Sequence, residues 1–210
     1  MEETGRLSRP WATYGLAGLL VAVFLADLAS NGWLLHHGKR DVVIFFIKPE
    51  PHRMLTSIFL HGNWLHLVMN TLALVTLGVL IEELVGWWMV LLVFVYCGVA
   101  GNLVSAEFGP ESRGVGASGG LAGLFGLLVM LMVRRVYQAS REQALMMLVV
   151  FSLAVGMAFQ PLPIDNYAHL GGFVAGLLLG VFARRGGMHP AGWAVAGAAL
   201  AWLWWRLSIP

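Results

Sequence analysis

The sequence predicts an all-α polytopic membrane protein, and its composition and its long apolar runs both indicate this class. Of its 210 residues, 59% are hydrophobic and only 11% are charged, whereas roughly one quarter of the residues in a soluble domain are charged. The mean hydropathy is +0.77. A nucleic-acid partner is not expected, because the basic residues are scattered near helix ends and form no continuous patch. The lipid bilayer is therefore the expected environment.

Seven apolar segments are predicted to form membrane helices, since a helix needs about 20 apolar residues to cross the hydrocarbon core. They are residues 11–29, 56–80, 87–106, 116–136, 144–159, 166–183 and 191–207. No cleavable small-residue site precedes the first of them, so we expect a retained anchor and not a signal peptide. The loop at 30–55 is too polar to cross, but its apolar run at 42–47 indicates contact with the membrane interface.

The distribution of basic residues predicts the orientation. Outside that long loop, most basic residues fall on the side that holds the N-terminus: Arg6, Arg9, Arg134, Arg135, Arg141, Arg184 and Arg185. The positive-inside rule then places the N-terminus in the cytoplasm. The second, fourth and sixth predicted helices would begin at the outer face of a bacterial-type plasma membrane.

Polar residues interrupt these three helices. Ser118 lies between small residues in Gly116-Ala117-Ser118-Gly119, and His169 opens the sixth helix in Ala168-His169-Leu170-Gly171-Gly172. His66 and Asn70 are four residues apart and so share one face of the second helix. Intramembrane ionisable residues are functional candidates because burying them in lipid is unfavourable. We expect the three helices to converge on one half-buried pocket.

The residue types suit acyl transfer. A serine hydroxyl becomes a nucleophile when a base takes its proton, and histidine is the usual base. Ser118 and His169 supply this pair, while Asn70, His66 and the Ser118 backbone N–H are candidate donors to an oxyanion. No aspartate near the histidines completes a triad, and Asp165 is expected to cap its helix. A Ser-His dyad is the simpler prediction.

Glycines in both reactive helices predict a close approach. One helix carries Gly116, Gly119, Gly120, Gly123 and Gly126, and the other carries Gly172, Gly176 and Gly180 at intervals of four. Stripes of small residues let membrane helices pack backbone to backbone.

The chain resembles the rhomboid intramembrane serine proteases over about residues 53–180. The resemblance rests on the three motifs around Ser118, His169 and His66-Leu67-Val68-Met69-Asn70. Supporting matches are Arg53, His61-Gly62, and Glu82 followed by Gly86. It implies Ser118 as nucleophile, His169 as general base and acid, and oxyanion stabilisation by His66 and Asn70.

The resemblance also implies cleavage of single-span membrane proteins without a cofactor. It implies a rhomboid-like bundle of six core helices at 11–185, followed by an additional C-terminal helix at 186–210. Residues 1–10 are expected to form a short cytoplasmic N-terminus, in line with the distribution of basic residues. Two positions depart from the family pattern. Ala122 stands where an aromatic ring often packs on the catalytic histidine, and His52-Arg53 stands in place of a tryptophan-arginine pair.

Two other functions are compatible with parts of the sequence. One is a catalytically silent rhomboid-like protein that binds membrane helices, although Ser118 and His169 are both present. The other is a small transporter or metal channel that uses the histidines, but the inner halves of the even-numbered helices are almost purely apolar. A zinc protease is disfavoured, because no histidine is followed by glutamate as in H-E-x-x-H.

Overall fold

The structure, a computed structural model, describes residues 9–41, 50–109, 113–143, 145 and 165–208, which are mostly helical. The elements in chain order are α1 (Trp11–Ala29), α2 (Trp33–Gly38), β1 (Arg40–Asp41), α3 (His52–Thr56), a 3₁₀ turn (Ser57–Phe59), α4 (Trp64–Val85), α5 (Trp87–Phe108), β2 (Arg113–Gly114), α6 (Ser118–Val133), α7 (Asn166–Phe182), β3 (Ala183–Arg184), β4 (Gly187–Met188) and α8 (Pro190–Ser208). Strand β1 pairs antiparallel with β2, and β3 pairs antiparallel with β4.

Three of the described helices, α1, α4 and α5, are long and apolar enough to cross a membrane. Helices α6 and α7 are also apolar but have only 16 and 17 residues. The predicted helix at 144–159 lies, apart from residue 145, outside the described residues, as does the apolar run at 42–47. These apolar helices belong to an integral membrane protein, while the six-plus-one helix count stays a prediction.

Among the described helices, the second departs most from its predicted boundaries. It runs from Trp64 to Val85 and not over 56–80. It begins late because Asn63 caps it, with the Asn63 Oδ1 accepting a hydrogen bond from the His66 N–H at 2.8 Å. It ends at Gly86, whose φ of +95° favours glycine. His66 therefore lies in the first turn of α4, nearer the helix end than the sequence suggested.

Helices α6 and α7 pack backbone to backbone, as the glycine stripes predicted. A Cβ added to Gly172 would collide with the Gly119 carbonyl oxygen, and one added to Gly176 would collide with that of Gly123. On an adjacent face of α6, a Cβ on Gly120 would lie 2.6 Å from the Phe94 carbonyl oxygen in α5. The starts of α6 and α7, which carry Ser118 and His169, are thereby held side by side.

The first helix is held by a buried carboxylate at the end of α4. Glu82 accepts hydrogen bonds from the Ala12 N–H at 3.1 Å, from the Thr13 N–H at 2.8 Å and from the Thr13 hydroxyl at 2.7 Å. The two N–H groups belong to the first turn of α1, where they have no partner within the helix and where the helix dipole favours negative charge. Glu82 therefore ties the end of α4 to the start of α1.

Substituting Glu82 by alanine is expected to destabilise the fold by about 3 kcal/mol, because it leaves the first-turn donors of α1 without their charged acceptor. Thermal unfolding in detergent measures the change. The neighbouring Glu83→Ala variant is the matched control, since Glu83 is exposed. Equal midpoints for the two variants would show that the Glu82 contacts do not stabilise the fold.

Candidate active site

Ser118 is placed by a glycine turn at the start of α6. Gly116 has a φ of +125°, a conformation that side chains disfavour, and its N–H donates to the Ser57 carbonyl oxygen at 2.9 Å. The turn is thus fixed to the 3₁₀ segment before α4. Ser118 follows as the first residue of α6 and is half-buried.

His66 and Asn70 lie against this turn. A Cβ on Gly116 would be 2.6 Å from both Cε1 and Nε2 of the His66 ring and 3.5 Å from the Asn70 Nδ2. Asn70 is 5% exposed, and its Nδ2 has no hydrogen-bond partner among the described residues. A buried donor without an acceptor is unfavourable by about 1–3 kcal/mol and calls for an explanation. Two side-chain donors therefore border the turn before Ser118.

His169 lies in the first turn of α7, next to a residue that packs against the start of α6. Ala168 precedes His169, and Gly119 follows Ser118. A Cβ added to Gly119 would be 3.5 Å from the Ala168 carbonyl oxygen. His169 and His66 are also close enough to interact electrostatically. Within the described residues the Ser118 hydroxyl and the His169 ring are not hydrogen-bonded to each other. Such catalytic hydrogen bonds often tighten only once substrate is bound.

A small pocket opens beside Ser118. Its volume is about 20 Å³, which is room for one water molecule. The residues that line it come from α5, the glycine turn and the starts of α6 and α7: Gly98, Asn102, Gly114, Val115, Gly116, Ser118, Gly119, Asp165 and Ala168. A larger cavity, of about 620 Å³, lies at the opposite end of the bundle near Leu84 and Arg135. We place the site at the smaller pocket because it holds the nucleophile candidate.

Asp165 has a second role that the sequence did not reveal. It caps α7, as predicted, by accepting from the Ala168 N–H at 2.9 Å, and it also pairs with Arg40 and accepts from the Ser105 hydroxyl. Burial alone would raise the pKa of the Asp165 carboxyl, but Arg40 and these hydrogen bonds lower it below its ordinary value. The carboxylate is therefore ionised at neutral pH, and the stability it contributes is lost as pH falls through this lowered pKa.

Two further side chains support the site. The buried His61 ring packs edge-on against His66, with ring centroids 5.1 Å apart. The pKa of His61 is lowered to about 4, mainly because the ring is buried and secondarily because of the nearby His66. Arg53 donates to the carbonyl oxygens of His36 and Lys39, at 3.1 and 3.0 Å. Arg53 thus holds the first loop against α3.

Among the described residues, no group of three or more His, Cys, Asp or Glu side chains is placed to hold a metal ion.

Comparison with known proteins identifies the family. The Rhomboid domain family matches residues 48–186, which is well over half of the chain. The chain belongs to the rhomboid family. This rhomboid chain is 38% identical over 145 residues to RHOMBOID-like protein 1 of Arabidopsis thaliana, covering 68% of the chain and 37% of that relative.

Two microbial relatives are named as proteases. Rhomboid-type serine protease 2 of Emericella nidulans is 32% identical over 143 residues, which cover 66% of the chain and 28% of that protein. Rhomboid protease GluP of Bacillus subtilis is 33% identical over 174 residues, which cover 80% of the chain and 34% of that protein. The matched region spans only 28% to 37% of the length of these three relatives.

Proposed function

We propose that this protein is a serine endopeptidase that cleaves single-span membrane proteins in or near their transmembrane segments. The observation that carries the proposal is that His66 and Asn70 border the glycine turn before Ser118, while the start of the helix that carries His169 packs against the residue after Ser118. The names of the fungal and bacterial relatives support a protease.

The proposed reaction proceeds in two stages. His169 takes the proton of the Ser118 hydroxyl, and Oγ attacks the carbonyl carbon of the scissile peptide bond. The Asn70 amide, the His66 ring and the Ser118 N–H donate to the developing oxyanion. His169 then gives its proton to the leaving amine, which departs as the C–N bond breaks. In the second stage His169 activates a water molecule that hydrolyses the Ser118 ester.

The dimensions of α6 fit a site below the membrane surface. A helix of 16 residues is roughly 24 Å long at about 1.5 Å per residue, which is less than the hydrocarbon thickness of about 30 Å. We propose that Ser118 lies towards the outer face of a bacterial-type plasma membrane with the N-terminus in the cytoplasm. The six-helix core at 11–185 and the additional helix at 186–210 belong to the same proposal.

Asn70→Ala is expected to lower kcat by about 10² to 10³, because it removes one donor to the oxyanion. The matched control is Thr71→Val, since the Thr71 hydroxyl is also buried without a partner among the described residues. Thr71 points about 100° away around the helix and so away from the turn. Steady-state cleavage rates measure both variants, and equal rates for the two would exclude Asn70 from the oxyanion site.

Cleavage in liposomes tests the proposed activity. The purified protein and its Ser118→Ala variant are reconstituted with a panel of single-span membrane proteins, and fragments are followed by mass spectrometry. We expect fragments cut in or beside the membrane segment with the wild type and none with Ser118→Ala. Fragments formed equally by both would show that the chemistry does not use Ser118.

One observation favours a second candidate, a rhomboid-like protein that binds membrane helices without cutting them. Within the described residues Ser118 and His169 are not hydrogen-bonded. This candidate predicts that substrate helices bind in the bilayer with equal affinity to the wild type and Ser118→Ala, with neither producing fragments.

A further inference from the structure

We propose that Arg40 is a positioning residue, whose ion pair with Asp165 fixes the start of the His169 helix against the turn that carries Ser118. This inference rests on the proposed peptidase function. The two residues are 125 positions apart in sequence, and they join the first loop to α7.

The first step is the contact of Arg40 with the segment before Ser118. Strand β1 pairs with β2, so that Arg40 lies opposite Gly114, four residues before Ser118. The Arg40 side chain is 1% exposed. A Cβ added to Gly114 would lie 2.6 Å from the Arg40 Nη2. The guanidinium thus packs directly on the strand that leads into the Ser118 turn.

The second step is the contact of Arg40 with the start of the His169 helix. Its partner Asp165 caps α7 and accepts from the Ala168 N–H, one residue before His169. The Ser105 hydroxyl lies 2.8 and 2.7 Å from the two Asp165 carboxylate oxygens and ties them to α5. Asp165 also lines the pocket beside Ser118. One ion pair therefore spans the gap between the nucleophile and base segments.

A second route from Arg40 returns to the same turn. Arg40 Nη1 donates to the Asn102 carbonyl oxygen at 3.2 Å, and Asn102 Nδ2 donates to the Ser57 hydroxyl at 2.9 Å. The Ser57 carbonyl oxygen accepts the Gly116 N–H. Networks of this kind act together because each bond orients the next. A misplacement of about 1 Å can lower a catalytic rate by about 10². Loss of the hydrogen bonds and the ion pair made by Arg40 should therefore reduce kcat.

The test uses the variants Arg40→Met, Arg40→Lys, Asp165→Asn and the double variant Arg40→Met/Asp165→Asn. Asparagine can still cap α7, so Asp165→Asn removes the charge pair and keeps the helix start. We expect Arg40→Met and Asp165→Asn each to lower kcat by at least about tenfold with little change in KM, by the same misplacement argument. The double variant should be no slower than the slower single variant. Arg40→Lys should recover part of the loss.

The matched control is Arg113→Met. Arg113 pairs with Asp41 in the same two-stranded sheet but is 75% exposed, so its kcat should stay within about twofold of the wild type. Wild-type kcat in Arg40→Met, a change in KM alone, or additive effects in the double variant would each overturn the inference.

Hydrogen–deuterium exchange separates this inference from the proposed activity. Exchange of the peptides covering 113–118 and 165–172 should rise together in Arg40→Met and stay unchanged in Arg113→Met, even in a protein that cleaves nothing. A wild type that neither cleaves nor reacts at Ser118 would contradict the peptidase proposal. Unchanged exchange in Arg40→Met would contradict the positioning role.

Discussion

Replacing His169 by alanine is expected to lower the rate of peptide cleavage by at least about 10³-fold, because the Ser118 hydroxyl would then have no base to take its proton. In serine peptidases the nucleophile and its base act as a unit, so their separate losses do not add. The variants His169→Ala, Ser118→Ala and Ser118→Ala/His169→Ala should therefore cleave at the same residual rate. Single-turnover cleavage in liposomes measures all three.

His36→Ala controls for the loss of a histidine, since His36 is exposed in α2. It should cleave at the wild-type rate. A residual rate in His169→Ala within about tenfold of the wild type would show that another group serves as the base. A double variant much slower than either single variant would show that Ser118 and His169 act independently.

Gly176→Ala is expected to destabilise the protein by about 3 kcal/mol, because the added methyl group meets the Gly123 carbonyl oxygen and neither backbone can move away cheaply. The starts of α6 and α7 should then separate, and the reaction of Ser118 should slow by at least about tenfold. Thermal unfolding in detergent and the rate of labelling at Ser118 measure the two effects.

Gly18→Ala is the matched control for helix propensity. Gly18 lies in α1, and nothing is within 4 Å of the position of its Cβ. Alanine is favoured over glycine in a helix by up to about 1 kcal/mol, so this variant should be as stable as the wild type or slightly more stable. If Gly176→Ala were equally stable, the close packing of α6 on α7 would be unnecessary for the fold.

Much of the arrangement around the site was predictable because its signals are local in sequence. The bounds of α1 agree with the apolar run from Trp11 to Ala29, and the glycines at intervals of four predicted the face on which α6 and α7 meet. His66 and Asn70 share a helix face by spacing alone. Gly116 was visible in the sequence before Ser118, but only the structure shows that its position in the turn requires a positive φ.

The remaining features depend on contacts that no local pattern encodes. The start of α4 was predicted too early because Ile58, Phe59 and Leu60 extend the apolar pattern, although Ser57–Phe59 form a separate 3₁₀ turn before the Asn63 cap. Strands β1 and β2 have two residues each, which is too short for an alternating pattern. The pairing of Arg40 with Asp165 follows from this strand contact, so the sequence predicted only the helix cap at Asp165.

Reaction with a fluorophosphonate tests most directly whether Ser118 is a nucleophile activated by His169. The full chain in detergent is incubated with the probe, the modified residue is mapped by mass spectrometry, and circular dichroism verifies folding. We predict modification at Ser118 in the wild type and none in His169→Ala. A folded wild type that stays unmodified at Ser118, or equal modification of Ser118 in His169→Ala, would contradict the proposed dyad.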